Sequence, residues 1–237
     1  MTVLLVRLAG PLQSWGSAAR FARRGTENAP TKSGVLGLLA AALGRSRQQD
    51  VSDLAALRFG VRVDQPGQRL RDFHTAHHAD SGKAMPLSER YYLQDAVFVA
   101  GVEGDLRLLH QVHEALREPR FLPYLGRKSC PPSQPLDITP PQDKSLERAL
   151  REAPWEASQW YRDKNRGAAP PLEILLETGP GETPTMTLRD LPVSFDPRHR
   201  QYALRGVSSV FADGVAHDPT SHLIPLPSRG DHDRTDG

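Results

Sequence analysis

The chain has 237 residues, a formal net charge of +2 and a hydrophobic content of 38%. This composition is typical of a soluble globular protein, and no apolar run approaches the ~20 residues that a membrane-spanning helix needs. The apolar start MTVLLVRLAG is too short for a signal peptide and lacks a basic leader, and the lone Cys130 cannot form an internal disulfide. We therefore expect a cytoplasmic protein that does not contact a membrane.

Charge is distributed unevenly along the chain. Residues 1–130 contain 18 Lys and Arg against 12 Asp and Glu, whereas the remaining residues contain 12 against 16. The difference is either chance variation along a surface or a basic N-terminal face that attracts a polyanion such as a nucleic acid.

The first elements alternate between strand and helix. Residues 2–8 predict a buried strand, AGPLQSWG breaks it, and residues 17–30 form a basic loop that includes Arg20. The apolar spacing in PTKSGVLGLLAAALG predicts a helix over about 31–43. Gly34 and Gly37 weaken that helix by up to ~1 kcal/mol each, which makes sense if another element packs closely against it.

The middle of the chain completes most of a repeating pattern. After a short helix near 52–57, two alternating strands flank Gln65-Pro66-Gly67 and predict a hairpin; 75–89 is irregular, 91–102 is a strand and 105–117 an amphipathic helix. This order matches most of a βαββαβ ferredoxin-like unit, with 75–89 as an insertion.

The rest of the chain predicts a smaller lobe. A helix near 144–152 precedes strands at 172–177, 185–194 and 200–207, which indicate an antiparallel β lobe over 136–211. From residue 212 the sequence is polar and predicts a flexible tail.

PYLGRKSCPP, residues 123–132, is the segment most suggestive of binding. It lacks the upstream glycine of a Walker A loop and follows a helix rather than a strand, which excludes a nucleoside-triphosphate site. It remains either a turn whose N–H groups and two cations bind phosphates or an ordinary solvated turn.

Histidines offer a second kind of chemistry. One cysteine and no HExxH motif argue against a metal site, and no cofactor motif is present. His74, with Tyr91, Tyr92 and Lys83 nearby in sequence, supplies the residue types for metal-independent RNA cleavage by general acid–base catalysis. These types alone do not establish a catalytic site.

Two more segments have alternative interpretations. The helix start PTKSG is either an anion site or a simple helix cap. Trp15 is either an exposed ring that stacks on a base or a core residue. Because all these segments join elements of one unit, together they favour binding of an extended RNA backbone over a small ligand.

The motifs LLVRLAGPLQSWG, PTKSGVLGLLAAALG, RDFHT and PYLGRKSCPP, in this order and spacing, resemble the CasD or "Cas-five" family of type I-E CRISPR Cascade subunits. The resemblance covers about residues 1–135 and is looser beyond. It implies an α+β fold in which residues 1–135 form a ferredoxin-like or RRM-like (RAMP) domain, with a thumb inserted at about 75–90.

The resemblance also implies a function and partners. The subunit binds the 5′ handle of CRISPR RNA, its thumb packs against the backbone subunit CasC, and the large subunit CasA docks nearby. The implied role is non-catalytic; the alternative is a metal-independent repeat endoribonuclease, as in the type I-C relative.

Site residues follow from the matching motifs. Expected RNA contacts are Gln13, Ser14, Trp15, Arg23, Arg24, Thr31, Lys32, Ser33, Tyr124, Arg127, Lys128 and Ser129. Expected thumb and partner contacts are His77, His78, Lys83, Met85 and Arg90.

Overall fold

The computed structural model describes residues 1–17, 23–136, 139–165 and 170–212. The predicted tail after 212, Arg20 of the basic loop and the side chain of Arg23 lie outside the described residues. In the described part, no helix is both long and apolar enough to span a bilayer.

A seven-stranded antiparallel sheet forms the centre of the molecule. Its strands are, in chain order, β1 (Thr2–Ala9), β4 (Arg58–Gln65), β7 (Val97–Gly104), β8 (Gln142–Asp143), β9 (Leu172–Glu177), β10 (Met186–Ser194) and β11 (Gln201–Ala212). Across the sheet they lie in the order β10-β11-β9-β4-β7-β1-β8. The strands after residue 135 therefore extend the same sheet that the earlier strands begin.

The helices cover both faces of this sheet. They are α1 (Lys32–Ala42), α2 (Ser52–Ala55), α3 (Leu106–Arg117), α4 (Leu146–Glu152) and α5 (Gln159–Lys164). Along β1, Leu4 and Leu8 face a core shared with α1 and α3, whereas Val3 and Leu5 face a second core shared with α4. Burial on both faces explains why the strand sequences are almost continuously apolar.

The predicted helix boundaries are confirmed within a residue or two, because capping residues mark them. Thr31 accepts a hydrogen bond from the Gly34 backbone N–H at 3.3 Å, and Asp105 accepts one from Leu108 at 3.0 Å. A Cβ at Gly34 would lie 2.7 Å from a Trp15 ring carbon. The glycine thus permits the close packing that the sequence suggested, whereas the nearest atom to a Cβ at Gly37 would be an ordinary 3.8 Å away.

A second, smaller sheet projects from the first. It consists of β2 (Leu12–Gln13), β3 (Arg23–Arg24), β5 (Gln68–His74) and β6 (Ser88–Gln94), with β6 pairing to the other three. The predicted strand 91–102 is divided between β6 and β7, because Asp95 adopts a positive φ of 53° at the break.

The predicted hairpin around Gly67 is wrong in its pairing. Gly67 turns with φ +70°, as expected, but β4 pairs with β7 and β9 while β5 pairs with β6. The reason is burial: β4 is almost wholly buried in the central sheet, whereas β5 is mostly exposed. The fold is therefore a mixed α/β structure of antiparallel sheets.

An ion pair holds the segment after residue 135 onto the central sheet. Arg62 on β4 is fully buried, pairs with Asp64 at 2.7 Å and donates to the carbonyls of Leu150 (2.6 Å) and Ala153 (2.7 Å) at the end of α4. The division expected at residue 135 stays a prediction, although the central sheet and the hydrogen bonds of Arg62 both cross it.

Candidate nucleic-acid interface

Two of the sequence motifs lie against each other. The Ser14 backbone N–H donates to the Leu125 carbonyl at 3.1 Å, so that LQSWG packs on the loop formed by residues 123–132. Gly126 has φ +84°, and a Cβ there would overlap the Ser14 carbonyl oxygen. Glycine is required at this position both for its backbone conformation and for the close approach.

Arg127 fastens this loop to the second sheet. Its guanidinium donates to the carbonyls of Arg24 at 2.8 Å and Tyr91 at 3.3 Å, and it lies 4.8 Å from the centre of the Tyr92 ring. Three contacts to the protein itself position the loop, and they leave only part of the Arg127 side chain open to solvent. Its neighbours Lys128 and Ser129 are exposed, while Tyr124 is half-buried.

A cleft of about 1680 Å³ opens beside the loop. It is lined by residues from both motifs, from one side of α1 and from the turn between β10 and β11. Among the described residues, its lining contains seven cationic side chains and no carboxylate: Arg24, Arg45, Arg47, Arg127, Lys128, Arg189 and Arg200. Such a cleft attracts a polyanion and repels cationic ligands.

Four residues that sequence reasoning missed also line the cleft, and we call them its far wall. Arg189, Arg200 and Tyr202 belong to β10, β11 and the turn between them, and Arg47 follows α1. Burial raises the pKa of the Tyr202 hydroxyl, and the nearby guanidinium groups of Arg200 and Arg47 oppose that shift. No motif identifies these residues, because folding brings them together from sites about 150 residues apart.

Two predicted RNA contacts are wrong because their side chains are buried. Trp15 and Gln13 are each 0% exposed. The Gln13 amide donates to the carbonyls of Leu8 (3.1 Å) and Ala96 (2.8 Å), and its oxygen accepts from the Trp15 indole N–H at 3.0 Å. The tryptophan is therefore a core residue, and Gln13 satisfies the backbone where β1 ends.

Lys32 is also wrong as a phosphate contact. It is 1% exposed, and its ammonium bonds both carboxylate oxygens of Glu177 at 3.0 and 2.9 Å. Its backbone N–H donates to Asp190 at 2.8 Å, and Asp190 also binds Arg205 at 2.7 Å. Burial lowers the pKa of Lys32, while Glu177 opposes the shift. The carboxylate of Asp190, from the protein itself, thus occupies the anion position predicted at this helix start.

The remaining predicted contacts differ in access. Thr31 is buried as the helix cap, and Ser33 is 8% exposed, although both border the cleft. Ser14 also borders the cleft, but its hydroxyl donates to the Tyr91 carbonyl at 3.0 Å. Arg24 is exposed and lines the cleft. Direct RNA contact stays a prediction for these residues.

The predicted thumb residues lie on or beside the second sheet. His77, His78, Lys83 and Met85 are exposed between β5 and β6, with His77 Nδ1 3.0 Å from the Gly82 carbonyl oxygen. Arg90 lies on β6, and its Nε is buried without a hydrogen-bond partner among the described residues. Four large apolar side chains are 39–53% exposed on the same unit, Leu70, Phe73, Met85 and Leu87.

The residue types for RNA cleavage are not assembled on this sheet. Opposite pairs place His74 across from Ser88 and Arg71 across from Tyr91, so that His74 and Tyr91 project from opposite faces. Tyr92 shares the face of His74 but is 5% exposed beneath Arg127. Among the described residues, no group of three or more His, Cys, Asp or Glu could hold a metal ion.

Comparison with known proteins gives consistent results. A family model described as CRISPR-associated protein (Cas_Cas5) matches residues 3–208. The Cascade subunit CasD of Escherichia coli (strain K12) is 37% identical over 168 residues, which are 62% of this chain and 75% of that protein.

Two solved structures resemble the whole fold. A crystal structure of a Cas protein is 42% identical, with a TM-score of 0.71 over 90% of this chain and 95% of that one. A chain of a CRISPR RNA-guided surveillance complex is 32% identical, with a TM-score of 0.73 over 89% of this chain and 90% of the other.

Proposed function

Because this chain belongs to the CRISPR-associated Cas5 family, we propose that it is a non-catalytic RNA-binding subunit of a type I-E CRISPR Cascade complex in antiviral defence. The single observation that carries the proposal is the cleft, whose described lining presents seven cations and no carboxylate. The CasD relative and the chain from an RNA-guided surveillance complex support it.

The ligand proposed for the cleft is the 5′ handle of CRISPR RNA. A single-stranded end is recognised by cations that bind phosphates and by aromatic rings that stack on splayed bases. Lys128, exposed at the mouth, is suited to a phosphate contact, and the half-buried Tyr124 offers a ring. Arg127 acts mainly by holding the loop, since its donors already bind Arg24 and Tyr91.

The proposed partners occupy other surfaces. We assign the exposed apolar side chains of the second sheet, including Phe73 and Met85, to a thumb that packs against the backbone subunit CasC. We expect the large subunit CasA to lie near the cleft and the assembled Cascade complex to be in the cytoplasm. In the central sheet, β4, β7, β1 and β8 are neighbours in that order, which supports a ferredoxin-like unit with the two-residue β8 as its fourth strand.

The test is binding and assembly with a Lys128→Ala variant. The full chain is co-purified with tagged Cascade subunits and CRISPR RNA, and its affinity for handle RNA is measured against a scrambled sequence. Wild type should assemble and prefer the handle. Lys128→Ala should weaken binding about 5- to 30-fold, as expected for roughly 1–2 kcal/mol from one charge-assisted contact.

Lys144→Ala is the matched control, because Lys144 lies away from the cleft and pairs with Glu152 at 3.0 Å. It should bind RNA as wild type does. Equal weak binding of handle and scrambled RNA by the wild type would refute handle recognition. Metal-free cleavage of repeat RNA that disappears in His74→Ala would favour the endoribonuclease instead.

A further inference from the structure

Two arginines and one tyrosine belong to the far wall of the cleft. The guanidinium groups of Arg200 and Arg47 both oppose the rise that burial causes in the pKa of the Tyr202 hydroxyl. Both arginine side chains are exposed and line the cleft. Arg47 comes from the segment after α1 and Arg200 from the turn before β11, so only the tertiary structure unites them.

The protein leaves this pair of charges without a countercharge in the part of the chain that the structure describes. No described carboxylate forms an ion pair with Arg47 or Arg200. The contrast with Arg45 is informative, since that side chain also borders the cleft but pairs with both oxygens of Asp53 at 2.6 and 2.5 Å. Cations that lack a countercharge from the protein attract an anionic ligand.

Aromatic surface adjoins the two cations. Tyr202 and Phe195 are half-buried, both line the cleft, and their ring centres are 6.4 Å apart at an angle of 62°. Guanidinium groups bind phosphate in a fork, and aromatic rings stack on nucleobases irrespective of base identity. A cation pair beside an aromatic pair therefore has the chemistry to hold one nucleotide by its phosphate and its base.

We propose that this far wall is a second RNA subsite, in which Arg47 and Arg200 bind one phosphate and Tyr202 contacts the attached nucleotide. This subsite proposal rests on the proposed function and adds residues to the proposed RNA-binding site. RNA then crosses the cleft from Lys128 to Arg200, and separate nucleotides contact the two walls. Arg200 and Tyr202 are about 70 residues from Lys128 in sequence, so bound RNA ties the β10–β11 region to the 123–132 loop.

The test compares Arg47→Ala/Arg200→Ala with Arg198→Ala and Lys128→Ala, all in the full chain. Arg198 is the matched control, since it is an exposed arginine two residues from Arg200 that does not line the cleft. Affinity for handle RNA is measured over a series of salt concentrations, and nucleotide protection is mapped by chemical footprinting. Circular dichroism and thermal melting show that each variant is folded.

The double variant should bind at least about tenfold more weakly, and its log–log salt slope should be shallower by about 0.7 for the lost phosphate contact. It should expose nucleotides different from those exposed in Lys128→Ala. Arg198→Ala should bind within about twofold of wild type, and Tyr202→Phe, which keeps the ring, should retain more affinity than Tyr202→Ala.

The outcomes separate this subsite from the proposed function. If wild type binds handle RNA, Lys128→Ala weakens it and the double variant behaves like Arg198→Ala, the subsite is refuted and the proposed function stands. If the double variant and Lys128→Ala expose the same nucleotides, the two walls do not form separate subsites and the proposal fails. If wild type does not bind the handle, the proposed function fails as well.

Discussion

Replacing Gly126 by alanine should weaken the packing of the 123–132 loop on Ser14 of the LQSWG motif. Two costs arise at this position. A left-handed backbone with φ +84° costs a residue with a Cβ about 1–2 kcal/mol. In addition, the new Cβ would overlap the Ser14 carbonyl oxygen, and displacing well-packed backbone costs about 1–3 kcal/mol more. We expect a total loss of about 2–5 kcal/mol in the free energy of unfolding.

Gly181→Ala separates the two costs, because Gly181 has the same φ of +84° and no atom lies within 4 Å of a Cβ built there. Urea denaturation of the full chain, followed by tryptophan fluorescence, measures both variants. Gly181→Ala should lose only the conformational part, about 1–2 kcal/mol. Equal losses in the two variants would show that packing of the loop on Ser14 contributes nothing and would refute the reasoning.

Two further changes test the core. Arg62→Ala should cost about 3–5 kcal/mol, because the fully buried Asp64 would lose its ion-pair partner and the end of α4 would lose its donors; in urea denaturation the Arg62→Ala/Asp64→Ala double variant should lose less than the sum of the single variants, and additive losses would contradict this coupling. Burial raises the pKa of the Cys130 thiol, so iodoacetamide should label it slowly at pH 8 in the native protein and rapidly in urea, and fast native labelling would contradict its burial. Because the folded pKa of this acid lies above its unfolded value, its contribution to the free energy of unfolding should fall as the pH rises through about 9.

Local patterns in the sequence were sufficient for the helices and for most strands. Apolar residues every three or four positions together with Thr31 and Asp105 as caps located α1 and α3, since both signals act within a single turn. Strand pairing was not predictable in the same way. Gly67 marks a turn, but whether its flanking strands pair depends on which faces other elements bury.

For the candidate site as well, the sequence predicted some features and not others. Each of the two motifs, 13–15 and 123–132, is a contiguous segment, so the sequence could identify both as candidate binding segments. The structure places them side by side. The motifs did not show which of their side chains are buried. Trp15 and Lys32 resemble stacking and phosphate contacts, yet the ring fills the core against Gly34 and the ammonium is neutralised by Glu177.

The sequence by itself determined the helices and the resemblance to a CRISPR-associated family, because these depend on residue types at short spacing. Only the tertiary structure decided which cations face one cleft. Arg47 and Arg200 line the same cleft because β11 joins the central sheet through β9, a pairing between distant segments that no local pattern encodes.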